Sequence, residues 1–511
     1  MLSKVKSFAL RGLEGYPVDI EADINAGIPS MDTVGLPDTA IKEAKDRVRS
    51  AIKNSGLAFP IKRITINLAP ADTKKEGAGF DLPIAIAILI ASEQITPDNA
   101  KEYVFVGELS LDGSLREVNG IMPILISGMQ SGYTKFIIPC GNGNEASYIE
   151  GIEVYAANSL SEVCAHLDGI KVIEKIEHRI YNSAVINNKY GYDFSEVNGQ
   201  ANAKRALEIA VSGGHNVLMI GPPGTGKTML AKCVLTIMPD LTFDEAVEIT
   251  KIHSIAGLLD ASKGIINVRP FRTPHHSATI PALVGGDRKA KPGEVSLAHY
   301  GVLFLDEVPE YNRRALEALR QPMEDGVITV SRILQTVEYP ANFMLIGSMN
   351  PCPCGNFGSK NNECTCSSQQ INNYINKISG PLLDRIDIQI EVDNISFGDF
   401  SKGTAAECSA DIKKRVMQVR AAQHTRYAGE SIYTNSEMNN RQIKKYCAID
   451  KDGEGLLEIA FNKLGLSARG SYRILRVART IADMENSEKV LSRHLAEAIQ
   501  YRSLDRKYWS R

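Results

Sequence analysis

Residues 217–228, VLMIGPPGTGKT, constrain the fold more than any other stretch of the chain. Val217–Ile220 is apolar and reads as a buried strand. It runs into a loop that matches G-x-x-x-x-G-K-[ST] in full, through Gly221, Pro222, Pro223, Gly224, Thr225, Gly226, Lys227 and Thr228. Glycines let backbone N–H groups turn inward around an anion with no Cβ in the way. A helix opening near Lys227 adds the positive end of its dipole. A strand feeding straight into a helix needs a crossover back to its sheet, so the motif predicts a mostly parallel α/β layer. The bland reading, a tight strand–helix turn with an incidental lysine, leaves the coincidence of glycines, lysine and hydroxyl unexplained. The chemistry that suits the loop is binding of ATP. Lys227 would neutralise the β- and γ-phosphates, and the Thr228 hydroxyl would ligate Mg²⁺.

Two further apolar strands end in polar side chains. Val302–Leu305 delivers Asp306 and Glu307, about 80 residues after the loop. Asp306 would hold Mg²⁺ through water, and Glu307 would polarise an attacking water. The run 343–347 leads to Asn350, whose amide would orient that water. Taken alone, Asn350 serves equally well as the opener of a turn before Pro351.

The chain has 511 residues, enough for about two to four domains. The apolar share of 43% and charged share of 23% fit a globular protein with ordinary cores, not a disordered one. No uninterrupted apolar run approaches the ~18 residues of a membrane span. The N-terminus lacks the apolar region of a secretory leader. A cytoplasmic protein with no membrane partner is expected. Residues 1–175 mix strand-like runs (61–68, 104–106, 136–138) with helices. The stretch 38–54 predicts a helix burying Ile41, Ala44, Val48, Ala51 and Ile52, and 82–91 a buried apolar helix. Residues 176–195 read as a polar linker and 196–395 as the α/β unit. A boundary falls near 394–404, and 396–511 is helical, with Ile474, Val477, Ala478, Ile481 and Ala482 on one face.

Net charge is −2, unevenly spread: residues 401–511 hold 21 Lys/Arg against 13 Asp/Glu. A basic end suits a phosphate-rich partner, and suits a solvated helical surface equally. Nine cysteines, an odd number, argue against a disulfide framework. Four of them, Cys352, Cys354, Cys364 and Cys366, lie on a Gly/Asn-rich loop and suit tetrahedral Zn²⁺, although C-x-C is tighter than the usual C-x₂-C. His275 and His276 have no spaced partner and read as a loop pair. Arg269, Arg272, Arg288, Lys289 and Lys291 surround the same insert, and 326–339 reads as a β-hairpin.

The three strands in this order resemble an AAA+ module, within the branch holding magnesium-chelatase ATPase subunits and MCM helicases. More specifically they resemble the bacterial ComM (YifB) family. GQANAKRAL at 199–207, GGHN at 213–216, FRTPHHSAT at 271–279, KPGEVSLAH at 291–299, NPCPCG at 350–355 and LSARGSYRILRVARTIAD at 466–483 carry the likeness. The resemblance implies that Asn350 is a sensor of the γ-phosphate. It implies that Arg385, in PLLDRID at 381–387, is an arginine finger acting on a neighbouring subunit, and that Arg469 is a second sensor in a C-terminal helical lid. A finger acting in trans implies a homo-hexamer. In MCM-like motors such inserts line a pore and grip DNA. On residues alone, a surface Arg385–Asp387 pair and an exposed helical Arg469 account for these positions as well.

Residues 1–170 resemble a Lon-protease-type domain of the ribosomal S5 superfamily, through GELSLDGSLR at 107–116, Asn119-Gly120 and KFIIP at 135–139. The nucleophile loop, KEGAGFD at 75–81, has no Ser, and the position expected for the Lys base falls at Ile121-Met122-Pro123. A Ser–Lys peptidase is therefore not expected. The resemblance implies an ATP-driven motor on branched or single-stranded DNA, a branch-migration helicase of recombination and natural transformation. The alternatives are a magnesium-chelatase-type motor subunit and an ATP-dependent assembly or chaperone factor.

Overall fold

The computed structural model describes residues 2–71, 73–75, 77, 79–182, 191–286, 290–331, 336–358, 363–393, 407–464, 466–504 and 508–509. They form two compact units, and the chain passes between them three times: Met1–Ser183 and Thr242–Asn267 make one, Ala184–Leu241 and Val268–Arg511 the other. Among the described residues, no helix is long and apolar enough to cross a membrane.

The first unit is built on a seven-stranded mixed sheet in the order β3-β4-β2-β1-β5-β6-β7. Its strands are β1 Leu2–Arg11, β2 Glu14–Asn25, β3 Ser30–Val34, β4 Arg63–Ala69, β5 Tyr103–Phe105, β6 Lys135–Pro139 and β7 Glu153–Ala157. The β1–β2 hairpin adds to the strands expected from the sequence. In β2 the buried residues Val18, Ile20, Ala22 and Ile24 alternate with half-buried ones. That is the two-residue period of a strand. Helix α1, Thr39–Asn54, is capped by the Asp38 carboxylate, which accepts from the Ile41 N–H, and it buries the five residues expected of it. Helix α2, Asp81–Ala91, is buried at every position. An all-apolar helix belongs inside a core. Helix α3, Ile121–Gln130, joins a second apolar cluster in which Met122 is fully buried beside Phe8 and Phe136. Asp81 at the start of α2 is gripped by Arg47 through bonds of 2.7 and 3.0 Å, and Lys75 is buried with its ammonium on the Pro70 carbonyl.

The second unit holds a five-stranded, all-parallel sheet in the order β9-β10-β13-β8-β14. Helix α4, Ala201–Gly213, leads into β8, Val217–Ile220, and α5, Lys227–Ile237, leaves the loop after it. After α6, Phe243–Ala256, come β9 Phe271–Arg272, β10 Val302–Leu305, the hairpin β11 Val327–Ser331 with β12 Thr336–Pro340, β13 Met344–Met349, α7 Ser368–Ile375 and β14 Ile388–Glu391. The C-terminal part is helical: α8 Ser409–Arg426, α9 Asn440–Tyr446, α10 Lys451–Leu464, α11 Ala468–Met484 and α12 Ser492–Gln500. Its apolar faces share one core with the sheet, and Ile474, Val477, Ala478, Ile481 and Ala482 all lie in that core. The boundary expected at 394–404 lies outside the described residues.

Helix α6 is the departure from a continuous unit over 196–395. Together with the turn that follows, it belongs to the first unit. Ser254 accepts from the Gly120 N–H at 2.9 Å and bonds the Glu145 carboxylate at 3.2 Å, while Asn144 bonds the Ala261 carbonyl at 3.0 Å. Burial pushes the Glu145 carboxyl up to about 7, against the pull of its partners Asn142, Ser254 and the Met122 N–H. A carboxyl raised on folding favours the folded state while protonated. Its contribution is full below the ordinary value of 4.5 and lost as pH rises through about 7. The loss amounts to roughly 3 kcal/mol at most. Glu145→Gln should therefore match wild type at about pH 5 and exceed it by several degrees in thermal midpoint at about pH 8. Parallel melting curves for the two proteins across that range would refute this account of Glu145.

Candidate functional site

The register of the parallel sheet brings three chain segments to one edge. Ile220 pairs with Met349 and Leu305 with Gly347, so Gly221, Asp306 and Asn350 emerge together beyond the strand ends. Open α/β sheets bind ligands at that edge, where the strand order reverses about the first strand. Here the first strand is β8, with β13 on one side and β14 on the other.

The loop from Gly221 to Thr228 is shaped by glycine where only glycine fits. Gly224 and Gly226 have φ of +80° and +84°, a left-handed conformation costly for any residue with a Cβ. Gly226 is also the N-cap of α5, so no side chain caps that helix's first turn. Its first N–H groups are free to serve an anion. Lys227 is buried, and its ammonium donates to the Gly221 and Pro222 carbonyls, each at 2.7 Å, and to Asn350 Oδ1 at 3.4 Å. Burial pulls its pKa down, against the attraction of Asp306 and Glu307. Thr225 is tied to the Pro222 carbonyl at 3.0 Å. The Thr228 hydroxyl donates to Asp306 at 3.3 Å, which sets a hydroxyl beside a carboxylate as an octahedral Mg²⁺ requires. Donors and carboxylate together fit a magnesium–triphosphate.

Asp306 has a partner that sequence reasoning missed. Ser348 Oγ donates to its carboxylate and accepts from the Glu307 N–H at 3.5 Å. The β10–β13 register carries the signal, because the residue after the Leu305–Gly347 pair faces Ser348. Glu307 itself is exposed and takes φ of +51°. Such a conformation in a non-glycine residue is held by its surroundings, here the Ser348 and Asp306 bonds to its N–H at 3.5 and 3.2 Å.

The two arginines stand elsewhere. Arg385 is buried, donates to the Pro381 carbonyl at 2.8 Å and forms an ion pair with Glu324. Arg469, with 68% of its side chain exposed, reaches the same Glu324 at 3.8 Å. Among the described residues neither bonds the group around Lys227. An Arg385–Asp387 pair does not form. Asp387 is buried against Arg473 at 2.6 Å and His215 at 3.3 Å. Burial pushes its carboxyl up, but the Arg473 guanidinium, the hydrogen bond from His215 and Arg476 outweigh it and hold the group well below the usual range.

The four thiols converge. Their sulfurs all lie within 4.8 Å of one another. The sulfurs stand 3.3 Å apart for Cys352–Cys354, 3.7 Å for Cys352–Cys364 and 3.6 Å for Cys354–Cys364. Four sulfurs about 2.3 Å from a tetrahedral Zn²⁺ would stand about 3.8 Å apart, so the donor set fits that ion. The His275 and His276 rings lie tilted against each other in a loop, with centroids 4.0 Å apart. Two basic residues of the same insert are engaged within the unit: Arg272 grips Glu294 at 2.6 and 2.8 Å, and Arg269 donates to the Pro239 and Tyr300 carbonyls at 2.6 and 2.7 Å. Lys291 is exposed, and Arg288 and Lys289 lie outside the described residues.

Three stretches of the chain match family models, and the second of the units is interrupted within one of them by residues 242–267. Residues 193–400 match the family described as magnesium chelatase, subunit ChlI, residues 20–142 that of subunit ChlI of Mg-chelatase, and residues 406–502 that of the ChlI C-terminal region. The chain is 44% identical over 506 residues to the YifB protein of Escherichia coli, covering 99% of this chain and 98% of that one. It is 44% identical over 509 residues to the competence protein ComM of Haemophilus influenzae, again covering 99% and 98%. The magnesium-chelatase 38 kDa subunit of Rhodobacter capsulatus is 26% identical over 179 residues, 31% of this chain and 50% of that protein.

Ser348 gives a test of the geometry. Ser348→Ala leaves Asp306 without its fixed donor, and should lower ATP turnover about tenfold, the usual cost of losing a partner behind a metal ligand. Binding of a fluorescent ATP analogue should stay within about twofold, since Lys227 and the loop are untouched. Unchanged turnover would mean that Asp306 is positioned without Ser348.

Proposed function

The chain belongs to the ComM/YifB family of magnesium-chelatase-like AAA+ proteins, and from that membership we propose that it is an ATP-driven hexameric DNA motor, a branch-migration helicase of recombination and natural transformation. The observation that carries the ATPase part is the convergence of Lys227, Thr228, Asp306, Ser348 and Asn350 at one sheet edge. The DNA part is carried by family membership.

In this reading Lys227 and the loop N–H groups bind the phosphates, and Thr228 with Asp306 would hold Mg²⁺, which would supply charge neutralisation. Glu307 orients and deprotonates the attacking water, and Asn350 fixes that water's second hydrogen bond. Arg385 completes the site of the next subunit, and Arg469 is the second sensor in the C-terminal lid. Arg385 contacts Glu324 rather than the Lys227 group, which supports a role in trans. Both arginines would then exchange Glu324 for phosphoryl oxygens, where fixed cations stabilise the charge that develops. The first unit would be a Lon-protease-type domain without a Ser–Lys pair. Lys75 is occupied by a carbonyl and Met122 is a core residue, which supports a role in DNA binding or ring assembly instead. The four cysteines would hold one Zn²⁺. A second reading, a chelatase-type motor acting on a tetrapyrrole partner, is favoured by the family descriptions. It is disfavoured by the weak, partial match to a chelatase subunit against full-length identity to ComM.

Two experiments test the proposal. Wild type should displace a strand from three-way DNA junctions with ATP, and Glu307→Gln should bind ATP yet move nothing, while Lys227→Ala should bind neither productively. A wild-type ring that moves no junction, yet is stimulated by a porphyrin-loaded partner, would favour the chelatase reading. Arg385→Ala should lower turnover by about 10³-fold or more, and mixing it with Lys227→Ala subunits should restore activity at shared interfaces. Absence of rescue would sink the trans assignment.

A further inference from the structure

The thiol cluster sits two residues beyond Asn350, on the loop that continues β13. Its position is more specific than that of a remote structural clip. Gly355 closes the first half of the cluster through its N–H on the Cys352 carbonyl at 2.9 Å, and the Phe357 N–H points at the Cys352 sulfur at 3.3 Å. Gly355 has φ of +81°, and a Cβ built there would stand 2.7 Å from Cδ of Pro223. The thiol knuckle therefore lies flat against the phosphate loop, at a spot where any larger residue would push the two apart.

A second contact path reaches the same loop. The Phe357 ring meets Tyr508 edge-on, with centroids 6.4 Å apart, and the Tyr508 hydroxyl donates to Glu391 at the end of β14 at 2.9 Å. The next residue, Val392, donates its N–H to the Ile220 carbonyl at 2.8 Å, and its own carbonyl stands so close to Gly221 that a Cβ there would be 2.1 Å away. On the far side of the cluster, α7 begins soon after Cys366 and returns Tyr374 to the Asn350 backbone. The knuckle thus borders both the phosphate loop and the Asn350 segment. A central ion would tie the two short C-x-C turns to each other, as metal binding does in small loop-rich sites.

We propose that a single Zn²⁺ held by Cys352, Cys354, Cys364 and Cys366 braces the phosphate loop through Gly355 on Pro223, so that zinc occupancy sets the affinity for ATP. This rests on the reading of the Gly221–Thr228 loop as an ATP site, and deepens it by making metal binding a control on that site. The ion is a structural one, with all four positions filled by thiolate and none left for chemistry.

The full chain, purified under reducing conditions, should carry about one zinc per chain by elemental analysis, the stoichiometry of a closed four-thiolate site. Stripping the zinc with a chelator and returning the protein to magnesium buffer should weaken binding of a fluorescent ATP analogue about tenfold, the scale of one charge-assisted hydrogen bond to phosphate. Added Zn²⁺ should restore it. Cys364→Ser tests the same point genetically. Gly355→Ala tests the brace without touching a thiol: it should retain zinc and still lose ATP affinity, because its Cβ drives the knuckle off Pro223. A chain that binds no zinc, or a zinc-free chain that holds ATP as tightly as the loaded one, overturns the proposal. So does a zinc-replete Gly355→Ala protein with undiminished affinity. A zinc-loaded wild type that binds no ATP at all would instead overturn the ATP-site reading on which this inference stands.

Discussion

A buried ammonium at the end of a parallel sheet is the interaction on which the second unit depends. Lys227 has been drawn out of water, and burial of a charge is affordable only where acceptors surround it. Two of those acceptors are carbonyls of its own loop and the third is the amide of Asn350, which arrives from β13. The β8–β13 register is therefore part of the lysine's solvation. A slip of one residue would carry Asn350 away and turn Ser348 off Asp306 as well, since side chains alternate faces along a strand. The apolar strands are short, four to six residues, and buried on both faces. They leave little freedom to slip without exposing their cores.

The opposite edge of the sheet, where the parallel strands begin, fixes the position of Arg385. Asn216, the residue before β8, accepts from the Leu345 N–H at 2.8 Å and donates to the Arg385 carbonyl at 3.2 Å. One amide thus joins the strand that carries Ser348 to the segment that carries the arginine. Two residues on, Asp387 collects Arg473 from α11 and His215 from the turn after α4, and His215 passes the network to Thr480 at 2.8 Å. A buried carboxylate bound by a cation and an imidazole resists local displacement, because breaking any one contact leaves an uncompensated charge. The C-terminal helices are consequently fastened to the sheet next to Arg385, and Arg469 lies on the first turn of the helix that supplies Arg473. Movement of α11 would carry Arg469 and the Asp387 anchor together.

What the sequence disclosed follows from the range of the forces involved. The strand–loop–helix at Val217–Thr228 is local in chain and in physics: apolar run, left-handed glycines and helix start are neighbours in sequence. The buried face of α1 and the all-buried α2 are likewise set by periodicity within one element. The alternation in β2 was equally visible, and nothing physical hid it. Ser348, Glu324 and Tyr374 were hidden for a different reason. Each acts by meeting a residue from a distant segment, and only a known strand register or tertiary pairing identifies it. The assignment of α6 to the first unit is of the same kind. Its sequence, with a Thr242–Glu245 capping box and a glycine end, reads as an ordinary helix and carries no mark of the partner it packs on. The convergence of the four thiols was suggested by spacing alone, but their contact with Pro223 was not, because Gly355 reveals its closeness only once φ and the facing loop are known.

Charge composition misleads here unless pairing is counted. The basic excess of residues 401–511 invites a picture of a phosphate-binding surface, yet much of it is turned inward. Arg415 grips Glu208 at 2.6 Å, Arg426 bonds Asp483 at 2.8 Å, and Arg473 bonds Asp387 at 2.6 Å. Arg479 is almost wholly buried on Asp483 and the Glu488 carbonyl, while Arg420 and Arg502 cap the carbonyls of Val211 and Ile386. An arginine neutralised by a carboxylate a few ångströms away contributes little field at a Debye length of about 8–10 Å. Many of these positive charges are therefore engaged within the fold, fastening α8 to α4 and α11, and α11 to the segment before β14. On the motor reading, contacts to a polyanion would fall to exposed lysines such as Lys291 and to residues around the β11–β12 hairpin, a sparse set among the described residues of any one subunit. Affinity for DNA would then come from repetition of that sparse set around a ring, since linked weak contacts gain through effective concentration what no single subunit supplies. On that reading hexamer formation and DNA binding would be one requirement, and an arginine completing a neighbour's ATP site would tie hydrolysis to the same assembly.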